Sequence, residues 1–270
     1  MTIDSWLTQA IRKLLETGIP SARLDAELIL AHTLRKSRTW LHAHGDEPID
    51  TRRLDIAYAR LELRCDRVPI AYIIGHKEFY GRRFDVTPSV LIPRPESEAF
   101  FTLLSRVDLT KDMQLVDVGT GSGCLGITAK LEYPELAVSL VDIDSHALRV
   151  AEKNAANLGA IVTCIKSDLL ADYPYTADIV LANLPYVDQA WDNSPELQHE
   201  PALALYAEDN GTSLIRRLID QCDSKLQKGG HILIEADMRQ HHLITHYAES
   251  HHLTFLGTEG LILLYQSPAP

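Results

Sequence analysis

Cysteine is scarce in this 270-residue chain, and the four present, Cys65, Cys124, Cys164 and Cys222, lie far apart. They make no CxxC pair or other metal-like spacing, so neither a disulfide framework nor a zinc site is expected, and the thiols read as reduced and packed. Long apolar runs are missing as well: nothing approaches the roughly 18 consecutive apolar residues of a membrane span. Met1 to Leu15 carry acids and lack the basic-then-apolar order of a secretion signal, which leads to the expectation of a cytoplasmic protein without membrane contact. Basic residues are outnumbered, 26 Lys and Arg against 37 Asp and Glu, and the formal net charge of -11 argues against stable nucleic-acid binding over a broad face. A local patch of Arg52, Arg53, Arg60, Arg64 and Arg67 reads either as a basic surface or as a solvated helix face. No low-complexity tract, internal repeat or G-x-S-x-G elbow is present, so hydrolysis by a serine nucleophile has no support.

What is there is an ordinary globular composition, 46% hydrophobic and 23% charged, in two textures. From Trp6 to about Ala71 apolar residues recur at helical spacing (Trp6, Ile11, Leu14, Leu15, then Leu24, Leu28, Ile29), with Gly18-Ile19-Pro20 between them, which predicts a small helical bundle over residues 1–73. Residues 74–90, rich in Gly and aromatics, read as a short hairpin joining two domains. Over residues 91–270 apolar strands alternate with helices. The strand candidates are Gln114–Val118, Ala137–Val141, Ile161–Ile165, Ile179–Ala182 and His231–Glu235, with a final hairpin of Leu253–Gly257 and Leu261–Tyr265; the helix candidates are Cys124–Leu131, Ser145–Asn157 and Gly211–Lys225. Alternation of this kind predicts an α/β domain with a mainly parallel sheet covered on both faces.

The chemistry concentrates at strand ends. The first strand runs into Gly119-Thr120-Gly121-Ser122-Gly123, where glycines let a ligand lie against backbone amides at a helix start. Alone this is ambiguous, because Gly121, Gly123 and Gly126 also satisfy the G-x-G-x-x-G of dinucleotide enzymes. Asp142, ending the next strand, is placed to receive two ribose hydroxyls, with Asp144 as the alternative unless it caps the following helix. After the third strand, Asp168 suits an adenine amino group and Leu169 could cover the ring; a helix-capping Asp168 is the plainer reading. The fourth strand ends in Asn183-Leu184-Pro185-Tyr186, for which a nicotinamide enzyme has no use. In methylation of an amide or amine, the Asn183 Oδ1 and the Leu184 carbonyl can accept the nitrogen's hydrogens while Tyr186 lies against the planar group. The late histidines His241, His242, His246, His251 and His252 read as a polar helix face, and no metal is expected.

Together these segments resemble the HemK/PrmC glutamine N5-methyltransferases. The resemblance is carried by Arg67-Val68-Pro69-Ile70-Ala71-Tyr72-Ile73-Ile74-Gly75, Phe79-Tyr80-Gly81, Val90-Leu91-Ile92-Pro93-Arg94-Pro95-Glu96, Asp117 to Gly123, Asn183 to Tyr186, and Glu200-Pro201-Ala202-Leu203-Ala204-Leu205. It implies a seven-stranded Rossmann-like class I methyltransferase domain preceded by an all-α substrate-recognition domain, S-adenosyl-L-methionine as cofactor, and peptide chain release factors, through the glutamine of their Gly-Gly-Gln motif, as protein substrate. Under it, Gly119 to Gly123, Asp142, Asp168, Leu169 and Asn183 become cofactor ligands, and Asn183, Leu184, Pro185 and Tyr186 the catalytic and substrate-binding segment. The chain departs from the family at Leu184, where a proline is usual, and at Glu235-Ala236-Asp237, where Glu-x-Gly is usual. Asn-Leu-Pro-Tyr also resembles the rRNA adenine dimethyltransferases. Methylation of a ribosomal protein's glutamine, of nucleic-acid adenine, or binding without catalysis therefore stand as alternatives.

Overall fold

Helix starts in the first part of the chain are set by short polar side chains that accept backbone amides otherwise left over at a helix start. Thr2 caps α1 (Ile3–Glu16), Ser37 caps α3 (Arg38–Ala43) and Asp50 caps α4 (Thr51–Cys65), with α2 (Ala22–Leu34) and α5 (Ile70–Ile74) between and after them. The computed structural model describes residues 1–191 and 194–269. Their apolar faces close on a core of Trp6, Leu14, Ile29, Leu30, Leu41, Leu61 and Ile73. Residues 1–76 and 194–199 form this first compact unit.

Most of the candidate basic patch is tied up inside the unit. Arg64 is buried and donates to Asp25 (2.7 Å) and to Glu196 (3.3 Å); Arg67 donates to Glu196 and the Thr17 carbonyl; Arg60 reaches the Thr33 hydroxyl. These guanidiniums hold helices and the 194–199 segment together; against the upward push of burial, the Ser194 hydroxyl, the Glu196 amide and then Arg67 and Arg64 pull the Glu196 carboxyl down to about 2.

The second unit, residues 77–193 and 200–270, is built on strands β3 (Gln114–Val118), β4 (Ala137–Asp142), β5 (Thr163–Lys166), β6 (Ala177–Ala182), β7 (Leu226–Glu235), β8 (Thr254–Glu259) and β9 (Ile262–Gln266). It is introduced by a two-stranded hairpin of β1 (His76–Phe79) and β2 (Arg82–Asp85). The seven strands run in the order β5-β4-β3-β6-β7-β9-β8, parallel except that β9 is antiparallel to both its neighbours. Because side chains alternate along a strand, Val116, Val118, Val180, Ala182, Ile232 and Ile234 build one core, and Leu115, Leu140, Ile179, Leu181 and Leu233 build the other. Helices α6 (Ala99–Leu104), α7 (Cys124–Glu132), α8 (Ser145–Leu158), α9 (Glu208–Gly211), α10 (Ser213–Lys225) and α11 (His241–Ser250) complete the unit.

The strand expectations therefore stand, with two differences. Ile161 is 85% exposed and precedes β5, which starts at Thr163. The closing hairpin does not simply add to the edge: its second strand, β9, inserts between β7 and β8. Among the described residues no helix is long and apolar enough to cross a membrane. Strand order reverses direction around β3, whose neighbours β4 and β6 lead to opposite edges, and in such sheets ligands bind beyond the carboxyl ends of the strands at that point.

Candidate active site

At the end of β3 the loop Gly119 to Gly123 is held from beneath by Asp117, which the sequence marks as part of a resembling segment but gives no role of its own. Its carboxylate accepts the Thr120 hydroxyl (2.6 Å) and the Gly126 amide (2.9 Å). Burial pushes this carboxyl up to about 6, against the pull of those two donors. A Cβ at Gly126 would lie 2.3 Å from Leu140 Cδ2, so this glycine is what lets α7 sit close on the sheet. At Gly121 (φ +56) an added Cβ would meet only the Gly119 carbonyl, at 4.0 Å, which leaves room for a ligand against the loop. Asn154 on α8, also unforeseen, pins the far side: its Nδ2 donates to the Ser122 and Asp85 carbonyls, both at 2.9 Å.

The two acids after β4 have separate posts. Asp142 accepts the Gly121 amide on one oxygen and the Asp144 amide on the other, both at 2.9 Å, and burial raises its pKa. Asp144 takes the His146 amide (2.8 Å) and so caps α8. After β5, residues 168–172 form a turn and no helix, so Asp168 has none to cap; it pairs instead with Arg217 of α10 at 2.6 Å. Leu169 is buried with φ +53, a backbone conformation that costs a leucine about 1–2 kcal/mol, and its side chain joins the cavity wall.

Beyond β6, Asn183, Leu184 and Pro185 border the same cavity as Gly119 to Ser122, Asp142, Asp168 and Leu169, a space of about 290 Å³. Asn183 Nδ2 donates to Ser97 Oγ (3.1 Å), and Ser97 Oγ donates to Glu235 Oε2 (2.5 Å). Tyr186 stands behind this wall; its phenol donates to Glu235 Oε1 (3.1 Å), its carbonyl accepts from Gln240 Nε2 (2.8 Å), and burial followed by the charge of Glu235 raises its pKa. The roof is the Val90 to Arg94 segment, clamped by buried Glu200, which accepts the Ile92 amide (3.1 Å) and the Arg94 guanidinium (2.6 Å). In the sequence Glu200 is marked only by the resembling segment Glu200 to Leu205, and neither Ser97 nor the role of Glu235 carries a local signal.

The departure at Leu184 has a physical account. Its side chain is buried in the sheet core, and a Cβ on Gly119 would approach its Cδ2 to 2.9 Å, so leucine fills space against a position that must stay glycine. Leu184→Ala is expected to lower unfolding free energy by about 2–5 kcal/mol, read by chemical denaturation, while keeping the backbone carbonyl at the cavity. Unchanged stability would show that the leucine packs nothing of consequence.

Of the late histidines, His241 Nε2 contacts the Ala236 carbonyl, and His251 contacts the Tyr247 carbonyl and Asp220.

Residues 5–75 match the family profile described as PrmC N-terminal domain, and residues 98–200 match that of the methyltransferase small domain. A release factor glutamine methyltransferase of Koribacter versatilis (strain Ellin345) is 37% identical over 87% of this chain and 86% of its own length. One from Deinococcus radiodurans is 35% identical over 88% of this chain and 87% of its own. Among solved structures, a methyltransferase from Pyrococcus furiosus superposes with a TM-score of 0.55 at 15% identity, covering 82% of this chain and all of that one, which speaks to fold alone.

Proposed function

The chain belongs to the family of release factor glutamine methyltransferases, and from that premise we propose that it transfers the methyl group of S-adenosyl-L-methionine to the N5 side-chain amide of the glutamine in a release factor's Gly-Gly-Gln motif. The observation that carries this reading is the convergence of Asn183, Leu184 and Pro185 with the glycine loop on one cavity. The residues suit the cofactor: the open face of Gly121 admits a ligand against the loop, and Asp142 keeps unused lone pairs on both oxygens for hydroxyl donors. When bound, the cofactor supplies a methyl group on a sulfonium. An amide nitrogen is a poor nucleophile because its lone pair is delocalised. The chain's contribution is therefore to orient it and to offer acceptors, Asn183 Oδ1 and the Leu184 carbonyl, that bind its hydrogens more strongly as the nitrogen turns positive. Tyr186 acts from behind the cavity wall.

The test is incubation with methyl-labelled cofactor and either a release factor or rRNA, followed by mass spectrometry. Label on the motif glutamine is the expected result; label confined to adenine in RNA would overturn the substrate. We assign the cofactor's ribose to Asp142, whose oxygens keep lone pairs for hydroxyl donors. Asp142→Ala is expected to weaken cofactor binding by calorimetry, with turnover at saturating cofactor much less affected. Unchanged affinity would move the role to Asp144.

We assign recognition of the folded protein substrate to the helical residues 1–73. Substitutions on their exposed faces should raise KM for a folded release factor and leave KM for a short Gly-Gly-Gln peptide unchanged. Equal effects on both substrates would remove the assignment.

A further inference from the structure

Asn183 can serve as an acceptor only if its amide is turned the right way, and an asparagine's two ends are nearly the same size, so something must choose. Asn183 donates its Nδ2 to Ser97 Oγ at 3.1 Å. Ser97 is 1% exposed, comes from the short 3-10 turn Pro95–Glu98, and has one hydroxyl proton. That proton goes to Glu235 Oε2, 2.5 Å away, so Ser97 has only lone pairs left for Asn183. Glu235 is itself buried at the end of β7, and its other oxygen takes the Tyr186 hydroxyl at 3.1 Å. An ionised carboxylate has no proton to give, so both neighbours must donate to it.

We infer that Glu235 is a positioning residue: acting through Ser97, it fixes the Asn183 amide with Nδ2 turned inward and Oδ1 left for the methyl acceptor, and by its second oxygen it holds the phenol of Tyr186. The inference rests on the function proposed above, because it supplies the orientation that the acceptor role of Asn183 requires. Burial raises the pKa of Glu235, while the two donors, Ser97 and Tyr186, oppose the rise.

The experiment combines kinetics with a spectroscopic reading of the protein by itself. Ser97→Ala is expected to lower turnover roughly 10–100-fold with cofactor affinity unchanged, and Ser97→Thr, which keeps the hydroxyl, to recover most of that loss. In an Asn183→Ala background, Ser97→Ala should cost nothing further, because the serine acts only through the asparagine. In nitrogen-15 spectra, the Asn183 side-chain NH₂ pair, identified by its loss in Asn183→Ala, should shift and exchange faster with water in Ser97→Ala. Should Ser97→Ala not fold, Glu235→Gln, of nearly the same shape, provides the same spectral and kinetic readings, since its amide can present a donor to Ser97 and free the hydroxyl to turn toward Asn183. Equal costs of Ser97→Ala in both backgrounds, or an NH₂ pair indifferent to both variants, would overturn the inference. An active Asn183→Ala enzyme would instead overturn the function on which it rests.

Discussion

Asn183→Ala is expected to reduce single-turnover methyl transfer roughly 10²–10³-fold, equivalent to about 3–4 kcal/mol of transition-state stabilisation, by analogy with removal of one oxyanion-hole donor. The reacting nitrogen goes from a neutral amide to a positively charged one, so the bond from its N–H to Asn183 Oδ1 is stronger in the transition state than in the ground state, and its loss falls on turnover. The fold should tolerate the change. Asn183 is only partly buried and its Nδ2 has one hydrogen bond here, to a Ser97 that retains Glu235. Thermal melts therefore accompany the kinetics, and a folded Asn183→Ala enzyme working near the wild-type rate would remove the central claim.

Gly211→Ala should do comparable damage from outside the cavity. Gly211 ends α9, a single turn in which Asp209 and Asn210 are left-handed, and has φ +79 itself. An added Cβ would stand 2.0 Å from the Tyr186 carbonyl oxygen, 2.7 Å from its carbon and 2.5 Å from Gln240 Nε2. Two of these three atoms are backbone, so relief requires the Asn183 to Tyr186 segment to move, and the Gln240 bonds to the Tyr186 and Asn210 carbonyls go with it. Misplacement of reacting groups by about 1 Å can cost roughly 10²-fold in rate, which is the expected loss of turnover. The left-handed conformation adds about 1–2 kcal/mol of destabilisation for any residue with a side chain. Full activity with an unshifted melt would show that the α9 turn can yield without disturbing Tyr186.

Much of the catalytic unit was legible because its signals are local. Alternating strand and helix texture, the turn from Asp117 to Gly123, and a tetrapeptide at a strand end each lie within a few consecutive residues. Each is tied to its structure by backbone geometry, since a strand buried on both faces must be apolar and a turn crowded by α7 must be glycine. The choice between Asp142 and Asp144 was posed by sequence and is sharpened by hydrogen bonds: one oxygen of Asp144 receives the α8 amide, while Asp142 receives the Gly121 amide of the loop. The helix cap considered for Asp168 fails because no helix follows, and Arg217, distant in sequence, takes that carboxylate.

By itself, then, the sequence determined the α/β class, the helical start, the glycine loop and the tetrapeptide, all of them consequences of short-range periodicity and backbone constraint. Tertiary structure alone decided the rest: that β9 enters between β7 and β8, that Glu200 clamps Ile92, and that Ser97 meets Asn183 and Glu235 across separations of 86 and 138 residues. A buried carboxylate at a strand end reads, in sequence, like any exposed one. What gives Glu235 its part is low dielectric and the two donors that the fold delivers to it, and neither leaves a mark on the residues beside it.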